Sequence, residues 1–459
     1  MTDILNEIKL IVGARGLIIG DDVSQRPAYS YGQGQCEAKA IVRPASTEEL
    51  SAVMKLCYQR GQVTVPWGGL TGLVNGAYTD PNSIAVSLER MTNIESIDAK
   101  SGTMIVQAGV PLQTVQQKAA EKNRLFALDL GARGSATIGG NIATNAGGNS
   151  VLRYGMMREQ VLGLEAVMAD GTIISSLNSM LKNNAGYDLK QLFIGTEGTL
   201  GIVTKAVLRL HPLPSSRNTA LVAANSFEHV SQLLNELGSK LNGQLSAFEV
   251  MWNNFYQLIA VESDKHNQAI SGEYPYYVLI EATGNNLAVD SEQFEQVLME
   301  ALENELIVDA AIAKSDSQSE ELWAMRDDIE TVIEALSPLI AFDVSLPIKE
   351  MESYINDVEK SLMAKWPEAK LIVFGHLGDG NLHLGISVGE LDDHTKHQVQ
   401  SLVYERLAPF SGSISAEHGI GIDKLNYLHC SRSDNELALM KLLKQSLDPK
   451  NLLNPGKVF

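Results

Sequence analysis

Three glycine-rich loops beside strand-like runs constrain the fold of this chain more than any other feature. The first loop, Trp67-Gly68-Gly69-Leu70-Thr71-Gly72, follows an apolar run at residues 63–65. Upstream, residues 40–42 predict another strand, and a capping box at residues 46–49 predicts a helix that runs to about Gly61. The pattern predicts a βαβ unit that ends in a glycine loop.

The second and third loops have the same character. Residues 131–149 contain six glycines interleaved with serine, threonine and asparagine, and residues 195–201 precede a predicted strand at 202–210. Glycine lets the backbone approach a ligand closely, and successive N–H groups in such loops bind phosphate. One such loop is often an ordinary turn, but three in one domain favour an extended cofactor. The spacing is not the Gly-x-Gly-x-x-Gly fingerprint of nicotinamide dinucleotides.

The remaining pattern predicts a second, α+β domain. Pro212 and Pro214 follow the last strand of the glycine-loop region, so we place a domain limit at residue 215. Strand-like runs at residues 220–224 and 276–282 then alternate with helical ones. A length of 459 residues agrees with two domains.

Two histidines bracket a short loop in Gly375-His376-Leu377-Gly378-Asp379-Gly380-Asn381-Leu382-His383. Asp379-Gly380 is a tight-turn signal, and residues 371–374 and 384–386 predict the flanking strands. Such a hairpin brings both imidazoles to one end of a sheet. The later motif Glu417-His418-Gly419-Ile420-Gly421 adds a carboxylate and a third histidine, so the chain holds a candidate metal-plus-base site.

Two neutral imidazoles and one carboxylate suit Zn²⁺, Mn²⁺ or Fe²⁺ with positions left open for substrate. We therefore assign His376, His383 and Glu417 as metal ligands. His418 is the expected general base, because imidazole titrates near neutrality. The alternative is that the two hairpin histidines are polar residues without a metal. Asp379 and Asn381 are expected to shape the turn and not to bind the metal.

Arg326 lies on the apolar stripe of a predicted helix at residues 319–337. The stripe consists of Leu322, Ile329, Ile333 and Leu336. A buried guanidinium needs an anionic partner, and its planar fork suits a substrate carboxylate. The alternatives are that Arg326 reaches solvent or pairs with an internal carboxylate.

Charge and cysteine content exclude several classes of protein. A net charge of −19 argues against nucleic-acid binding, which depends on basic patches. Three cysteines without a CxxC pair suit a reducing compartment. We expect neither a signal peptide nor a transmembrane helix, since no apolar run reaches about 18 residues.

The glycine loops and histidine motifs together resemble the vanillyl-alcohol-oxidase-like flavoproteins, in the branch of D-lactate, glycolate and D-2-hydroxyglutarate dehydrogenases. The resemblance covers nearly the whole chain and rests on residues 66–72, 134–148, 183–189 and 195–203, both histidine motifs, and Asn454-Pro455-Gly456. It implies an α+β fold with an FAD-binding domain at 1–215 and an antiparallel-sheet substrate (cap) domain at 216–410. A C-terminal segment at 411–459 would complete the FAD site.

This resemblance also implies the contacts to FAD and substrate. The residues assigned to FAD are Pro66, Gly68, Gly69, Thr71, Gly72, Leu73, Gly134, Ser135, Thr137, Gly139, Gly140, Asn141, Ala143, Thr144, Gly147, Glu197, Gly198, Ile202, Val203 and Asn454. No histidine or cysteine lies between Pro66 and Gly148, so we expect non-covalent FAD. Arg326 and Asn381 are assigned to substrate, and zinc or manganese is the expected metal.

The expected reaction is oxidation of a D-2-hydroxy acid to the 2-oxo acid by hydride transfer to FAD. Many D-2-hydroxyglutarate-type relatives carry lysine where this chain has Ala341, and they tend to have asparagine at the position of Gly385. Glu330, four residues after Arg326, is expected to repel a second carboxylate. We therefore expect a D-lactate-like substrate. The alternatives are a D-2-hydroxyglutarate dehydrogenase and the FAD subunit of a glycolate oxidase.

Two other classes of function stay open: a metallohydrolase or lyase without redox chemistry, and a non-catalytic flavin subunit. The expected partners are a small 2-hydroxy acid and an electron-acceptor protein or quinone, with direct oxidation by O₂ as another option. We expect a cytoplasmic location and leave open a homodimer and docking to the inner face of a membrane.

Overall fold

The computed structural model describes residues 4–27 and 35–459, which divide into two compact units. Met1–Gly148, Gly155–Leu213 and Glu417–Phe459 form the first unit, and Asn149–Tyr154 with Pro214–Ala416 form the second. Within the described residues, no helix is long and apolar enough to span a membrane.

In the described residues of the first unit, the strands form three sheets. Its strands are β1 (Leu17–Ile18), β2 (Ala40–Val42), β3 (Thr64–Trp67), β4 (Ile84–Ser87), β5 (Ile94–Asp98), β6 (Thr103–Gln107), β7 (Arg124–Leu125), β8 (Val161–Val167), β9 (Ile173–Ser176), β10 (Ile202–Arg209) and β11 (His211–Pro212). One sheet has the order β1-β2-β4-β3, in which β2, β4 and β3 are parallel. A second has the antiparallel order β5-β6-β10-β8-β9, and β7 pairs with β11.

Helices pack on these sheets, and the buried apolar residues of the unit form one large cluster and a second, smaller one. They are α1 (Ile4–Val12), α2 (Asp21–Ser24), α3 (Thr47–Arg60), α4 (Leu112–Ala120), α5 (Ile138–Thr144), α7 (Met157–Gln160) and α15 (Asp434–Leu447). The N-cap half of the predicted capping box is confirmed, because the Ser46 hydroxyl accepts from the Glu49 amide at the start of α3. The Glu49 carboxylate accepts from the Ala45 amide instead of the Ser46 amide. Gly61 ends the helix in the left-handed region, at φ 67°. The predicted βαβ unit is therefore present as β2-α3-β3.

A seven-stranded antiparallel sheet is the centre of the second unit. Its strands are β12 (Ser216–Ala224), β13 (Leu245–Trp252), β14 (Tyr276–Gly284), β15 (Asp309–Ile312), β16 (Ile340–Ser345), β17 (Lys370–His376) and β18 (Asn381–Ser387). The order is β15-β12-β14-β13-β17-β18-β16. The predicted histidine hairpin is confirmed as β17-β18, which places Phe374 opposite His383.

Helices pack on this sheet, and a short segment from earlier in the chain joins them. They are α6 (Val151–Tyr154), α8 (Phe227–Lys240), α9 (Asn253–Tyr256), α10 (Leu287–Glu303), α11 (Asp316–Arg326), α12 (Ile329–Ala335), α13 (Ile348–Lys365) and α14 (Asp393–Glu405). Arg153 of α6 donates to Thr283, and the Leu152 side chain fills the space beside Gly378. These contacts explain why residues 149–154 belong to the second unit, which the sequence pattern did not predict.

The single helix predicted at residues 319–337 is wrong. The helix ends at Arg326, and α12 begins after Asp328, whose carboxylate accepts from the Thr331 amide as an N-cap. Asp328 therefore starts a new helix where the apolar stripe suggested continuity. Glu330 is exposed on the second helix, so the four-residue spacing that placed it near Arg326 does not apply.

Candidate functional site

The first two glycine loops pack backbone against backbone in the first unit. A Cβ atom on Gly69 would lie 2.0 Å from the Ser135 carbonyl oxygen, and one on Gly68 would lie 2.9 Å from the Thr137 hydroxyl. Any side chain at these two positions would push the loops apart. The loops at residues 67–72 and 131–149 thus meet because both approaching positions are glycine.

Two buried asparagines of this unit have unsatisfied side-chain atoms. Among the described residues, nothing hydrogen-bonds Asn141 Nδ2 or Asn454 Oδ1, although these side chains are 4% and 1% exposed. The tail residue Asn454 is held by its backbone amide, which donates to the Thr64 carbonyl, and by its Nδ2, which donates to the Glu197 carbonyl. Orphaned buried polar atoms beside glycine loops fit a bound polar cofactor.

The other residues assigned to the cofactor differ in exposure. Gly68, Gly72, Leu73, Gly134 and Ser135 are exposed. The partly buried ones are Pro66, Gly69, Thr71, Gly139, Gly140, Ala143, Thr144 and Glu197. Thr137, Gly147 and Gly198 are buried, and Ile202 and Val203 belong to the apolar core of the unit.

Glu197 holds the loop that carries Glu417 and His418. Its two carboxylate oxygens accept from the Ile420 amide at 2.7 Å and from the Gly421 amide at 2.8 Å. Burial raises the pKa of the Glu197 carboxyl, against the opposing effect of these two N–H groups. The third glycine loop thereby fixes the Glu-His-Gly-Ile-Gly motif within the first unit.

The Glu417 side chain lies in the space that a side chain at position 147 would occupy. A Cβ atom on Gly147 would lie 2.5 Å from Glu417 Oε1, so the carboxylate lies directly against the second glycine loop. Glu417 and His418 are both partly exposed. Gly419, with φ +83°, lies against the Glu197 carboxylate. The glycines of both segments are thus required by close approach.

In the second unit, each hairpin histidine has a carboxylate on its Nδ1 side. The His376 and His383 ring centroids are 5.2 Å apart with the planes at 84°. His376 Nδ1 lies 2.8 Å from Glu249 Oε1, and His383 Nδ1 lies 4.0 Å from Asp343 Oδ1. Only the first of these distances is a hydrogen bond, and a carboxylate hydrogen-bonded to an imidazole orients a histidine that ligates a metal. The donor set therefore fits a divalent cation.

Arg326 is buried against the same Glu249 carboxylate. Its Nε and Nη2 donate to Glu249 Oε2 at 3.0 and 2.8 Å, and its guanidinium lies 5.0 Å from the Phe374 ring centroid. Pairing with an internal carboxylate, one of the alternatives for Arg326, is thus present. Nη1 has a longer contact, 3.5 Å to Asp327 Oδ1. Burial raises the pKa of Glu249, but His376 and Arg326 outweigh it and hold that pKa below its ordinary value.

Asn381 begins β18 between the two histidines. It is 3% exposed, and neither of its amide atoms has a hydrogen-bond partner in the described part of the chain. A buried amide without partners is costly unless a ligand or water satisfies it. Its position agrees with the assignment to substrate.

Comparison with known protein families assigns both units. Residues 38–176 match an FAD binding domain, and residues 213–458, more than half of the chain, match the C-terminal domain of FAD linked oxidases. The chain belongs to the FAD-linked oxidase family. It is therefore an FAD-dependent oxidoreductase, and the predicted enzyme class and FAD binding are confirmed.

Several curated relatives of this chain are named dehydrogenases. A mitochondrial D-2-hydroxyglutarate dehydrogenase of Arabidopsis thaliana is 40% identical, over 92% of this chain and 75% of its own length. A D-2-hydroxyglutarate dehydrogenase of Xanthomonas citri pv. viticola is 39% identical, over 92% and 89%. A putative mitochondrial D-lactate dehydrogenase of Schizosaccharomyces pombe is 38% identical, over 98% and 88%.

Solved structures show the same fold at low identity. An alkyldihydroxyacetonephosphate synthase superposes with a TM-score of 0.76 at 17% identity, covering 98% of this chain and 84% of that one. A p-cresol methylhydroxylase gives 0.74 at 14% identity, with coverage of 99% and 96%. The predicted α+β, vanillyl-alcohol-oxidase-like fold is confirmed.

The sequence did not indicate the contacts of two glutamates, Glu249 and Glu197. Glu249 was missed, although it is the single charged residue in the strand Leu245–Trp252, and such a position needs a buried partner. Glu197 was assigned to FAD, and that assignment stays a prediction; its carboxylate accepts from the backbone of residues 420–421, a contact that the sequence did not indicate. The backbone of Glu197 is left-handed, with φ 51°, which is unusual for glutamate and is visible in the structure but not in the sequence.

Proposed function

We propose that this FAD-dependent oxidoreductase oxidises a D-2-hydroxy acid to the 2-oxo acid with the help of a divalent metal ion. The observation that carries the proposal is the pair of hairpin histidines in a chain that binds FAD. His376 is hydrogen-bonded to the Glu249 carboxylate, and His383 Nδ1 lies 4.0 Å from Asp343 Oδ1. The names of the relatives support the substrate class and its D configuration. The proposed metal ligands are His376, His383 and Glu417, with zinc or manganese as the metal.

Each residue then has a defined task. When bound, FAD supplies the hydride acceptor and the divalent cation acidifies the substrate hydroxyl. His418 takes the hydroxyl proton as general base. Arg326 offers Nη1 to the substrate carboxylate, because Nε and Nη2 already donate to Glu249 and the Nη1 contact to Asp327 is a long one, at 3.5 Å. Asn381 satisfies its unpartnered amide on the substrate.

The substrate side chain is proposed to be small or apolar, as in D-lactate. Ala341 and Gly385 face each other across β16 and β18, next to the Asp343–His383 pair. The side-chain atoms nearest to a Cβ on Gly385 belong to Leu336, Leu339 and Val332. No charged group at these two positions can meet a distal carboxylate. D-2-hydroxyglutarate is the second candidate, since relatives at 39–40% identity carry that name.

Anaerobic reduction of the bound flavin tests the reaction. The holoenzyme is titrated in turn with D-lactate, L-lactate, glycolate and D-2-hydroxyglutarate, before and after treatment with a chelator. Bleaching by D-lactate that is lost on chelation and restored by Zn²⁺ or Mn²⁺ is the expected result. Bleaching by D-2-hydroxyglutarate alone would replace the substrate proposal, and bleaching that resists chelation with proven metal removal would contradict the role of the metal.

The mode of flavin attachment is proposed to be non-covalent. Acid precipitation of the holoenzyme should release all flavin to the supernatant, and flavin retained in the pellet would contradict this. The electron acceptor, a second protein or a quinone, is a further proposal. It predicts that reoxidation of the reduced enzyme by a soluble quinone is faster than by O₂.

A further inference from the structure

Glu249 lies between two groups of the proposed site and is shared by both. Its Oε1 is 2.8 Å from His376 Nδ1, and its Oε2 accepts from Arg326 Nε at 3.0 Å and from Nη2 at 2.8 Å. The Glu249 side chain is 1% exposed and that of Arg326 is 5% exposed. One buried carboxylate therefore contacts a proposed metal ligand and a proposed substrate-binding residue together.

The charge of this carboxylate determines the tautomer of His376. Two N–H groups of a permanently charged guanidinium converge on one oxygen of Glu249, so the carboxylate is ionised and can only accept hydrogen bonds. The imidazole nitrogen that faces it must therefore carry hydrogen. With the proton on Nδ1, the lone pair of the His376 ring is on Nε2, the atom that points away from Glu249.

We propose that Glu249 is a positioning residue, which fixes His376 as the Nε2 ligand of a divalent cation and, with the same carboxylate, sets the direction of the Arg326 guanidinium. This inference rests on the proposed function, because it assumes a metal at His376. The competing view is that Glu249 only neutralises a buried arginine. The two views predict different metal affinities for one isosteric variant.

Glu249→Gln separates them because an amide cannot accept on both sides. The cation of Arg326 draws the amide oxygen toward itself, so the NH₂ group turns to His376. His376 Nδ1 must then accept, which moves the ring proton to Nε2 and removes the lone pair that would hold the metal. Loss of such an orienting partner costs about 10- to 100-fold in metal affinity.

The measurement is Zn²⁺ affinity of the FAD-loaded full chain, by competition with a chromogenic chelator. Glu249→Gln should bind Zn²⁺ about 10- to 100-fold more weakly than the native chain. The matched control is Glu281→Gln, which alters a carboxylate of the same sheet that accepts from Trp323 of α11 at 2.9 Å. The control should keep its Zn²⁺ affinity within about threefold, which is well below the cost of losing an orienting partner.

A second variant covers the case in which the unpaired arginine prevents folding. In the double variant Glu249→Gln with Arg326→Met, no guanidinium draws the oxygen of the introduced side-chain amide away from His376. That oxygen can therefore accept from His376 and restore the Nδ1–H tautomer. This double variant should bind Zn²⁺ more tightly than Glu249→Gln alone, a recovery that simple neutralisation of Arg326 does not predict. Equal Zn²⁺ affinity of the native chain and Glu249→Gln overturns the inference and leaves the proposed function standing. A native chain without a stoichiometric Zn²⁺ site overturns both.

Discussion

A buried ion pair, Lys444 with Asp448, ties the C-terminal tail of the first unit to helix α15. Lys444 Nζ lies 2.7 Å from Asp448 Oδ2 and also donates to the carbonyls of Thr199 at 2.9 Å and Leu453 at 2.6 Å. The two side chains are 10% and 1% exposed, so solvent screens the pair only weakly. Lys444→Met keeps most of the side-chain volume but leaves the Asp448 charge buried without its cation.

The cost of this substitution follows from the contacts. Removing one partner of a buried pair destabilises a protein by about 3–5 kcal/mol. Two features place the cost of Lys444→Met at the lower end of this range. Asp448 Oδ2 keeps the Leu453 amide as a donor at 2.8 Å, and burial lowers the pKa of Lys444, which shows that the buried charge is itself costly. We therefore expect a loss of about 3 kcal/mol, which corresponds to roughly a hundredfold change in a local opening equilibrium.

Hydrogen exchange of the tail amides measures that opening directly. The Leu453 and Asn454 amides donate to Asp448 and to the Thr64 carbonyl, and in Lys444→Met they should exchange about a hundredfold faster. Lys441→Met, an exposed position on the same helix, is the matched control and should leave both amides unchanged. Exchange within about threefold of the native rate in Lys444→Met would refute the reasoning, since a broken buried pair costs far more.

Three further predictions concern the glycine loops and the proposed base. Gly69→Ala should lower the flavin-to-protein ratio, because its Cβ would lie 2.0 Å from the Ser135 carbonyl oxygen; Gly131→Ala, in open space, should not, and equal ratios would contradict the loop contact. In Glu197→Ala, the Ile420 and Gly421 amides lose their acceptor, and the free energy that protects each of them from hydrogen exchange should fall by about 1–3 kcal/mol; unchanged protection would show that they have other acceptors. His418→Ala should slow flavin reduction by about 10²–10⁴-fold while FAD stays bound, and an unchanged rate would place the base elsewhere.

Local sequence signals predicted much of the fold because each one acts over a few residues. The Ser46 N-cap, the left-handed Gly61 and the Asp379-Gly380 turn fix the ends of α3 and the turn of the β17-β18 hairpin. The hairpin prediction brought His376 and His383 together without any knowledge of the rest of the sheet. Signals of this range also explain the one error in helix assignment, since Asp328 acts as an N-cap inside a stripe of apolar residues that continues past it.

Contacts between residues far apart in the chain could not be predicted from the sequence, and these contacts determine the electrostatics of the site. Glu249 is separated by 77 residues from Arg326 and by 127 from His376. No periodicity connects these positions, and an isolated glutamate in an apolar strand does not show which cation it meets. The same holds for Glu197, which is more than 220 residues from the amides that it binds. Sequence motifs identified the chemical groups, and the sheet order determined their partners.

The place of β13 in its sheet explains why one carboxylate reaches both groups. β13 lies between β14 and β17, so Glu249 is directly opposite His376 in the register. Side chains alternate along a strand, and Met251 on the same face lies opposite Phe374, whose ring contacts the Arg326 guanidinium. Arg326 is the last residue of α11, where the helix ends before Asp328 starts the next one. The strand register places His376 beside Glu249, and the end of α11 supplies Arg326, so these two elements together set the geometry around the carboxylate.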